Sequence, residues 1–366
     1  MMRRPFDPGK PLTPIYYRGR TMLIEIKPRF QRLAATAAAC LLMGAVAMGQ
    51  VYRPPSGATP STAKPFLDAA DGFRFAIVSD RTGGARPGVF ERAIDELNLL
   101  RPEFVISVGD LVEGYRKDPA VLAGQWREFD DMIARLDMRF FRVAGNHDLS
   151  NDAMLADWRK RAGNPYYSFV YKGVLFLVFD TDDPPVSSRD ILSRLFPEPG
   201  KAAEMEQLLE SDPRRADALV SAQIEKLKMP ADEVIPAGIS EKQANWARQT
   251  LAAHRDARWT MIFMHKPAWL YRNDGNHFPT IQSALAGRRY TVFAGHEHYY
   301  QHEVIDGHDY FRLGTTGGEW MRKGPGSVDH IAWVTVDKSG AHVANIRVDG
   351  VFGAGGPSGD VAGTQQ

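Results

Sequence analysis

Five short segments of this 366-residue chain set carboxylate, amide and imidazole side chains beside glycine or proline. In order they are SDRTGG (79–84), VGDLVEG (108–114), AGNHD (144–148), MHKP (264–267) and AGHEH (294–298). Each follows an apolar run that reads as a strand. Taken singly, an Asp after a strand is a helix cap, and a lone His is a satisfied structural residue. Five in succession at one edge of a sheet exceed what capping explains, and ligands of open α/β sheets bind outside the carboxyl ends of the strands. Carboxylates, imidazoles and an amide gathered there repel or desolvate one another unless a cation holds them. The mixed nitrogen and oxygen donors suit Mn, Zn or Fe rather than Ca, which takes oxygen alone. Two such ions side by side can activate a bridging water and stabilise attacking and leaving oxygens, the chemistry of phosphate-ester hydrolysis.

The elements that must position these residues are legible as a rhythm. Apolar runs at 75–78, 104–108, 140–144, 174–179, 260–264 and 291–294 alternate with helical stretches. Near-continuous apolar strands predict a sheet covered on both faces, and the alternation predicts an α/β fold. Residues 88–101 place Phe90, Ala93, Ile94, Leu97 and Leu100 on one helix face, and Pro102 ends it. Ser240 and Gln243 form a capping-box pattern ahead of Trp246 and Leu251. Towards the C-terminus, DYFRL, HIAWVTV and AHVANIRV have no helices between them and are expected to run antiparallel. The catalytic domain spans 71–350. Within it, 184–237 breaks the rhythm with Ala- and Leu-rich helical stretches, an inserted subdomain that is either surface elaboration or a lid.

Composition narrows the rest. Lys and Arg number 45 against 44 Asp and Glu, so no net charge recruits nucleic acid or an anionic membrane. The pairs Arg214-Arg215 and Arg288-Arg289 read as solvated surface. Residues 33–48 form an Ala-rich apolar run behind Lys27, Arg29 and Arg32, and Ala45 and Ala47 offer a small-residue cleavage site. This is a signal-peptide pattern, which makes 1–49 a leader and predicts export to the periplasm or beyond, with an uncleaved membrane anchor as the alternative. Residues 1–21 fit no signal-peptide region, which makes Met22 the alternative start of translation. Cys40 is the single cysteine and lies inside that run, so a cleaved chain offers no thiolate as nucleophile or ligand. Pro-rich residues 50–70 read as a linker, and Gly-rich 351–366 as a disordered tail.

GD at 109–110, GNHD at 145–148 and GHEH at 295–298, in that order, make the chain similar to the calcineurin-like metallophosphoesterases. That family shares D-x-H, GD, GNH(D/E), H and G-H-x-H motifs, and the resemblance covers about 72–348, in the manner of a secreted bacterial member. It implies a four-layer α/β/β/α sandwich with two stacked mixed β-sheets, and a dinuclear centre of divalent or trivalent Mn, Zn or Fe. By that resemblance Asp110 bridges both metals, Asp80 and His298 bind the first, and Asn146, His265 and His296 bind the second. His147 supports the transition state and protonates the leaving group, with Asp148 placed to orient its imidazole. The chain departs at the first motif, where Thr82 replaces the histidine of D-x-H and leaves the first metal one imidazole short. Glu113 stands where purple acid phosphatases have a ligand tyrosine, with Tyr115 two positions late. Arg81 either reaches a substrate phosphate or pairs with a neighbouring carboxylate.

The expected activity is hydrolysis of phosphate mono- or diesters, small or macromolecular, by a hydroxide bridging the two metals. The alternative is a metal-binding scaffold without turnover, which has no need of His147. A periplasmic solute-binding protein is a third reading, but it leaves the ligand set unexplained. The remaining histidines (254, 277, 302, 308, 330 and 342) read as structural or solvated. Trp269 and Tyr271 either line the pocket or pack in the core.

Overall fold

Strand β1 (Phe73–Val78) alternates strictly: Phe73, Phe75 and Ile77 face one side, Ala76 and Val78 the other, and all five are buried. A strand buried on both faces needs a covering layer on each, and the covering layers define the architecture. The computed structural model describes residues 72–351 except 186 and 229–235, all within one unit, Leu67–Gln366. The expected leader and linker, and all but the first residue of the expected tail, lie outside the described residues.

The first sheet runs β11 (Ala341–Arg347), β10 (His330–Val336), β1, β2 (Phe104–Ser107), β3 (Arg139–Phe141). Strands β1, β2 and β3 are parallel, while β10 and β11 are antiparallel additions. The second runs β4 (Tyr167–Tyr171), β5 (Val174–Val178), β6 (Trp259–Phe263), β7 (Tyr290–Ala294), β9 (His308–Arg312), β8 (Gln301–Ile305). Between the sheets lies an aromatic stack. Phe75 lies flat on Phe104 at 5.1 Å, and Phe176, Phe263, Phe293 and Phe311 continue ring on ring across the second sheet. Large planar side chains fill the roughly 10 Å between packed sheets.

Helices α1 (Val89–Leu100), α2 (Pro119–Ile133) and α3 (Asp152–Ala162) cover the first sheet, burying Phe90, Phe129 and Trp158 against Ala76 and Val105. On the second sheet α7 (Glu241–Ala253) and α8 (Phe278–Ala284) pack Ala247, Leu251 and Ile281 on Ile262 and Val292. The result is the four-layer sandwich. Trp269 and Tyr271 belong to this helix-side core, the packing alternative of the two. Helix α1 ends as expected: Arg101 turns left-handed at φ 53°, and Pro102 cannot continue the helix.

Three features differ from the sequence expectation. Strands β4 and β8 were not anticipated, because each is a half-exposed edge strand without a solid apolar run. Strand β9 pairs antiparallel with β8 but runs parallel to β7, so the DYFRL run is not wholly antiparallel. The hairpin turn at Asp306-Gly307 reverses the chain, and apolar Tyr310 and Phe311 take the inner place while β8 stays outside with Val304 exposed. Ser240 Oγ accepts from the Gln243 N–H at 3.2 Å, yet the Gln243 side chain does not close a capping box. It bonds both backbone groups of Asp180, pinning the start of α7 to the end of β5.

The segment after β5 folds as α4 (Ser188–Leu195), α5 (Lys201–Ser211) and α6 (Pro213–Leu227), which share a small core of Leu192, Met205, Leu209 and Ala216. It docks on the loop after β2: Arg116 Nη1 donates to the Leu209 carbonyl at 3.1 Å, and Lys117 pairs with Glu206 at 2.8 Å.

Candidate metal centre

The carboxyl ends of β1, β2 and β3 in one sheet and of β6 and β7 in the other meet at one place. Asp80 leaves β1 fully buried, and its Oδ1 accepts the His296 N–H at 2.9 Å. Asp110 follows β2 in a left-handed turn at φ 54°, and its Oδ1 accepts the His147 N–H at 3.0 Å. His296 and His298 are also left-handed, at φ 72° and 49°. Such backbone strain in residues with a side chain clusters where function over-determines the conformation. Glycine makes the crowding possible. A Cβ on Gly145 would lie 2.2 Å from Asp110 Oδ1, and Gly109, at φ 104°, would press a Cβ within 2.6 Å of the His265 ring.

The imidazoles of His265, His298 and His147 are each held by a backbone carbonyl. His265 Nδ1 donates to the Val108 carbonyl at 2.9 Å, which turns its Nε2 lone pair into the centre. That lone pair meets Asn146 Oδ1 at 2.9 Å, Asp110 Oδ2 at 3.2 Å and His296 Nδ1 at 3.2 Å. Asn146 is oriented by its amide nitrogen, which donates to the Tyr115 hydroxyl at 2.8 Å. On the other side His298 Nδ1 donates to the Glu319 carbonyl, and its Nε2 faces Asp80 Oδ1 at 3.3 Å. This Nε2 is buried without a hydrogen-bond partner.

The electrostatics follow from that crowding. Burial raises the Asp80 carboxyl, but the His298 imidazole outweighs it and holds the group below the usual range. Burial likewise opposes Asp110, and His265 and His147 pull it well below. Burial disfavours a charged His265, yet Asp110 and Asp80 hold it up at about 9, so without a cation a proton sits on Nε2 and a bound cation would displace it to use the lone pair. His296 is driven well below the ordinary value by burial and by His265. Donor atoms of Asp80, Asp110 and His265 all lie within 4.8 Å of one another. Lone pairs converging out of water fit a cation: carbonyl-oriented imidazoles beside carboxylates are how proteins present nitrogen and oxygen ligands to transition metals.

Residues 73–300 match the family model of the calcineurin-like phosphoesterases. The chain belongs to that family. A stretch of 103 residues is 32% identical to the serine/threonine-protein phosphatase CPPED1 of Bos taurus, covering 25% of this chain and 31% of that protein, so the match spans about a third of the relative. Among solved structures, a purple acid phosphatase from yellow lupin (Lupinus luteus) seeds aligns over 76% of this chain and 52% of its own, with TM-score 0.50 and 12% identity, a likeness of fold. A dimetal phosphatase from Danio rerio aligns over 77% of this chain and all of its own, with TM-score 0.48 and 15% identity.

Within this calcineurin-like framework one expected role needs correction and one open alternative narrows. Asp148 does not orient His147. Its Oδ1 accepts the N–H groups of Leu111 and Val112 at 2.9 and 3.1 Å, and its Oδ2 accepts that of Gly145 at 2.9 Å. Both oxygens therefore clamp the GD loop to the GNHD loop. The His147 imidazole is held through Nδ1 by the Glu113 carbonyl at 2.7 Å, with Nε2 4.0 Å from Asp110 Oδ2. Arg81 takes the second of its two alternatives: it pairs with Glu128 on α2 and donates to the Leu111 carbonyl at 3.0 Å.

Thr82 is fully buried, and its hydroxyl faces the Val112 and Asp110 carbonyls at 2.9 and 3.1 Å. It ties the β1 loop to the β2 loop in place of an imidazole. Sequence reasoning missed Tyr115, which lies edge-on to His147 at 4.8 Å besides holding Asn146. Its one signal was a tyrosine displaced from the expected position. The carbonyls of Val108, Glu113 and Glu319 have no sequence signal at all.

Proposed function

We propose that this chain hydrolyses phosphate esters with two transition-metal ions, one held by Asp80, Asp110 and His298 and one by Asp110, Asn146, His265 and His296. The observation that carries this reading is the pair of buried lone-pair clusters, His298 Nε2 against Asp80 and His265 Nε2 against Asn146 and Asp110. Bound there, the ions would activate a water and neutralise charge on the phosphate. The chain's own contribution is positioning. Asp110, buried and held by the His147 N–H, sets the spacing of the two ligand clusters. His147 keeps its Nδ1 on the Glu113 carbonyl, so Nε2 is the atom that meets the phosphate or gives a proton to the leaving oxygen.

Residues 33–48 support export of the protein, and no helix among the described residues is long and apolar enough to cross a membrane. The helical insertion rests on the loop that carries Tyr115, which favours the lid reading. Purified protein assayed against mono- and diester panels with Mn, Zn and Fe in turn tests the activity. Turnover that depends on metal and on His147 supports it, and tight metal binding without turnover on any panel member would favour the scaffold reading instead.

A further inference from the structure

The amino ends of the second sheet hold a feature that the metal centre does not use. Arg248 and Arg255, near and just beyond the end of α7, and Arg288, just before β7, line one open groove of about 610 Å³ with Asn245 and Gln249. Leu251, Ala252, Ala284 and Ala286 complete its lining, which includes no carboxylate. Among the described residues none of the three arginines is in an ion pair. Arg248 bonds the Asn245 amide oxygen at 3.1 Å, and Arg288 Nη2 caps α7 through the His254 carbonyl at 3.0 Å. Arg288 Nη1 is buried with no hydrogen-bond partner. Burial and the Arg255 charge both press the Arg288 guanidinium below its ordinary value, with Asp256 opposing them. The adjacent Arg289 behaves differently, stacking on Trp259 at 4.3 Å. Arg289 is exposed yet stacked and Arg288 is part-buried, so neither is the plain solvated surface expected.

We propose that this groove is a second anion site that takes the phosphoryl group of a small molecule. The Arg255 charge presses on Arg288 and Asp256 offsets it only in part, so a dianionic tetrahedral group in the groove relieves the repulsion. Guanidinium forks match phosphate oxygens in geometry, and three of them exceed what one carboxylate needs. The volume is that of a small-molecule site. A membrane or polyanionic chain would need a wider basic field, and the whole protein has a net charge of +1. Arg288 precedes β7 and His296 follows it, so groove and metal centre lie at opposite ends of one five-residue strand, about 17 Å apart by strand rise. The site is thus separate from the catalytic one and does not depend on the hydrolase reading.

The test is calorimetry of metal-loaded protein with inorganic phosphate and, separately, methylphosphonate, which cannot be hydrolysed and mimics an esterified phosphoryl group. Arg248→Gln/Arg255→Gln changes two exposed side chains, and Arg255→Gln alone serves as the milder variant. The wild type should show an event that the double variant loses or weakens by about tenfold or more, the scale of one lost charge-assisted contact. Whichever anion binds more tightly there identifies a free or an esterified phosphoryl group as the ligand. Binding at the metal centre should persist in both variants. Isotherms unchanged by both variants would overturn the groove assignment while leaving the metal centre untouched.

Discussion

Replacing Tyr115 with Phe removes one oxygen and tests how the second metal's ligands are oriented. The hydroxyl accepts a hydrogen bond from the Asn146 amide nitrogen at 2.8 Å, and Asn146 is buried at 6% exposure. Without that acceptor the amide has two options. It can keep its pose with an unsatisfied buried donor, at a cost of about 1–3 kcal/mol. Or it can flip, placing its N–H against the His265 Nε2 lone pair 2.9 Å away, where the metal should be. Either way the metal-competent pose is weakened by that amount, about 10- to 100-fold in affinity, the usual loss for a supporting partner of a metal ligand. The assay is activity against free Mn in chelator buffers, with circular dichroism melts as a check on folding. Half-saturation should move to higher metal by at least about tenfold while turnover at saturating metal changes little. An unmoved half-saturation in a folded variant would refute the reasoning, because Asn146 would then be oriented by something other than Tyr115.

Other perturbations separate the remaining roles. His147→Ala should lower kcat by about 10²- to 10⁴-fold with metal content unchanged, whereas His296→Ala should lose metal as well, both read by elemental analysis beside kinetics. Glu96 on α1 is buried at 2% exposure, and burial pushes its carboxyl up to about 7 from the ordinary 4.5. Between those values the folded chain holds a proton that the unfolded chain has released, so this contribution is full below about pH 4.5 and lost as pH rises through about 7. Denaturant titrations at pH 5 and 8 should show Glu96→Gln flattening that fall, and equal slopes in both proteins would contradict it. N-terminal sequencing of protein from the cell envelope should find the mature chain beginning within residues 48–51, and a chain retaining Leu33 would indicate an anchor instead.

The strands were readable where burial on both faces made them solidly apolar, as in Val174–Val178, and unreadable at the half-exposed edges Tyr167–Tyr171 and Gln301–Ile305. Side chains at the centre could be named because glycines mark the tight turns that bring Asp110 and His265 together. What orients them could not. The carbonyls of Val108, Glu113 and Glu319 leave no trace in a string of residue types, and Arg81 finds Glu128 47 positions away. Asp148 shows the limit most clearly: its place beside His147 suggested an imidazole partner, but folding turned three backbone N–H groups towards it first. The arginine groove was invisible for the same reason, since Arg248 and Arg288 come to line one groove only once β6 and α8 have been laid between them.

The central claim is that two ions share Asp110, and anomalous diffraction from a Mn-loaded crystal tests it most directly. Two peaks about 3.5–4 Å apart are predicted. One should contact Asp80 and His298, the other Asn146, His265 and His296, with Asp110 touching both. A single peak, or two peaks with Asp110 bound to one alone, would contradict the account.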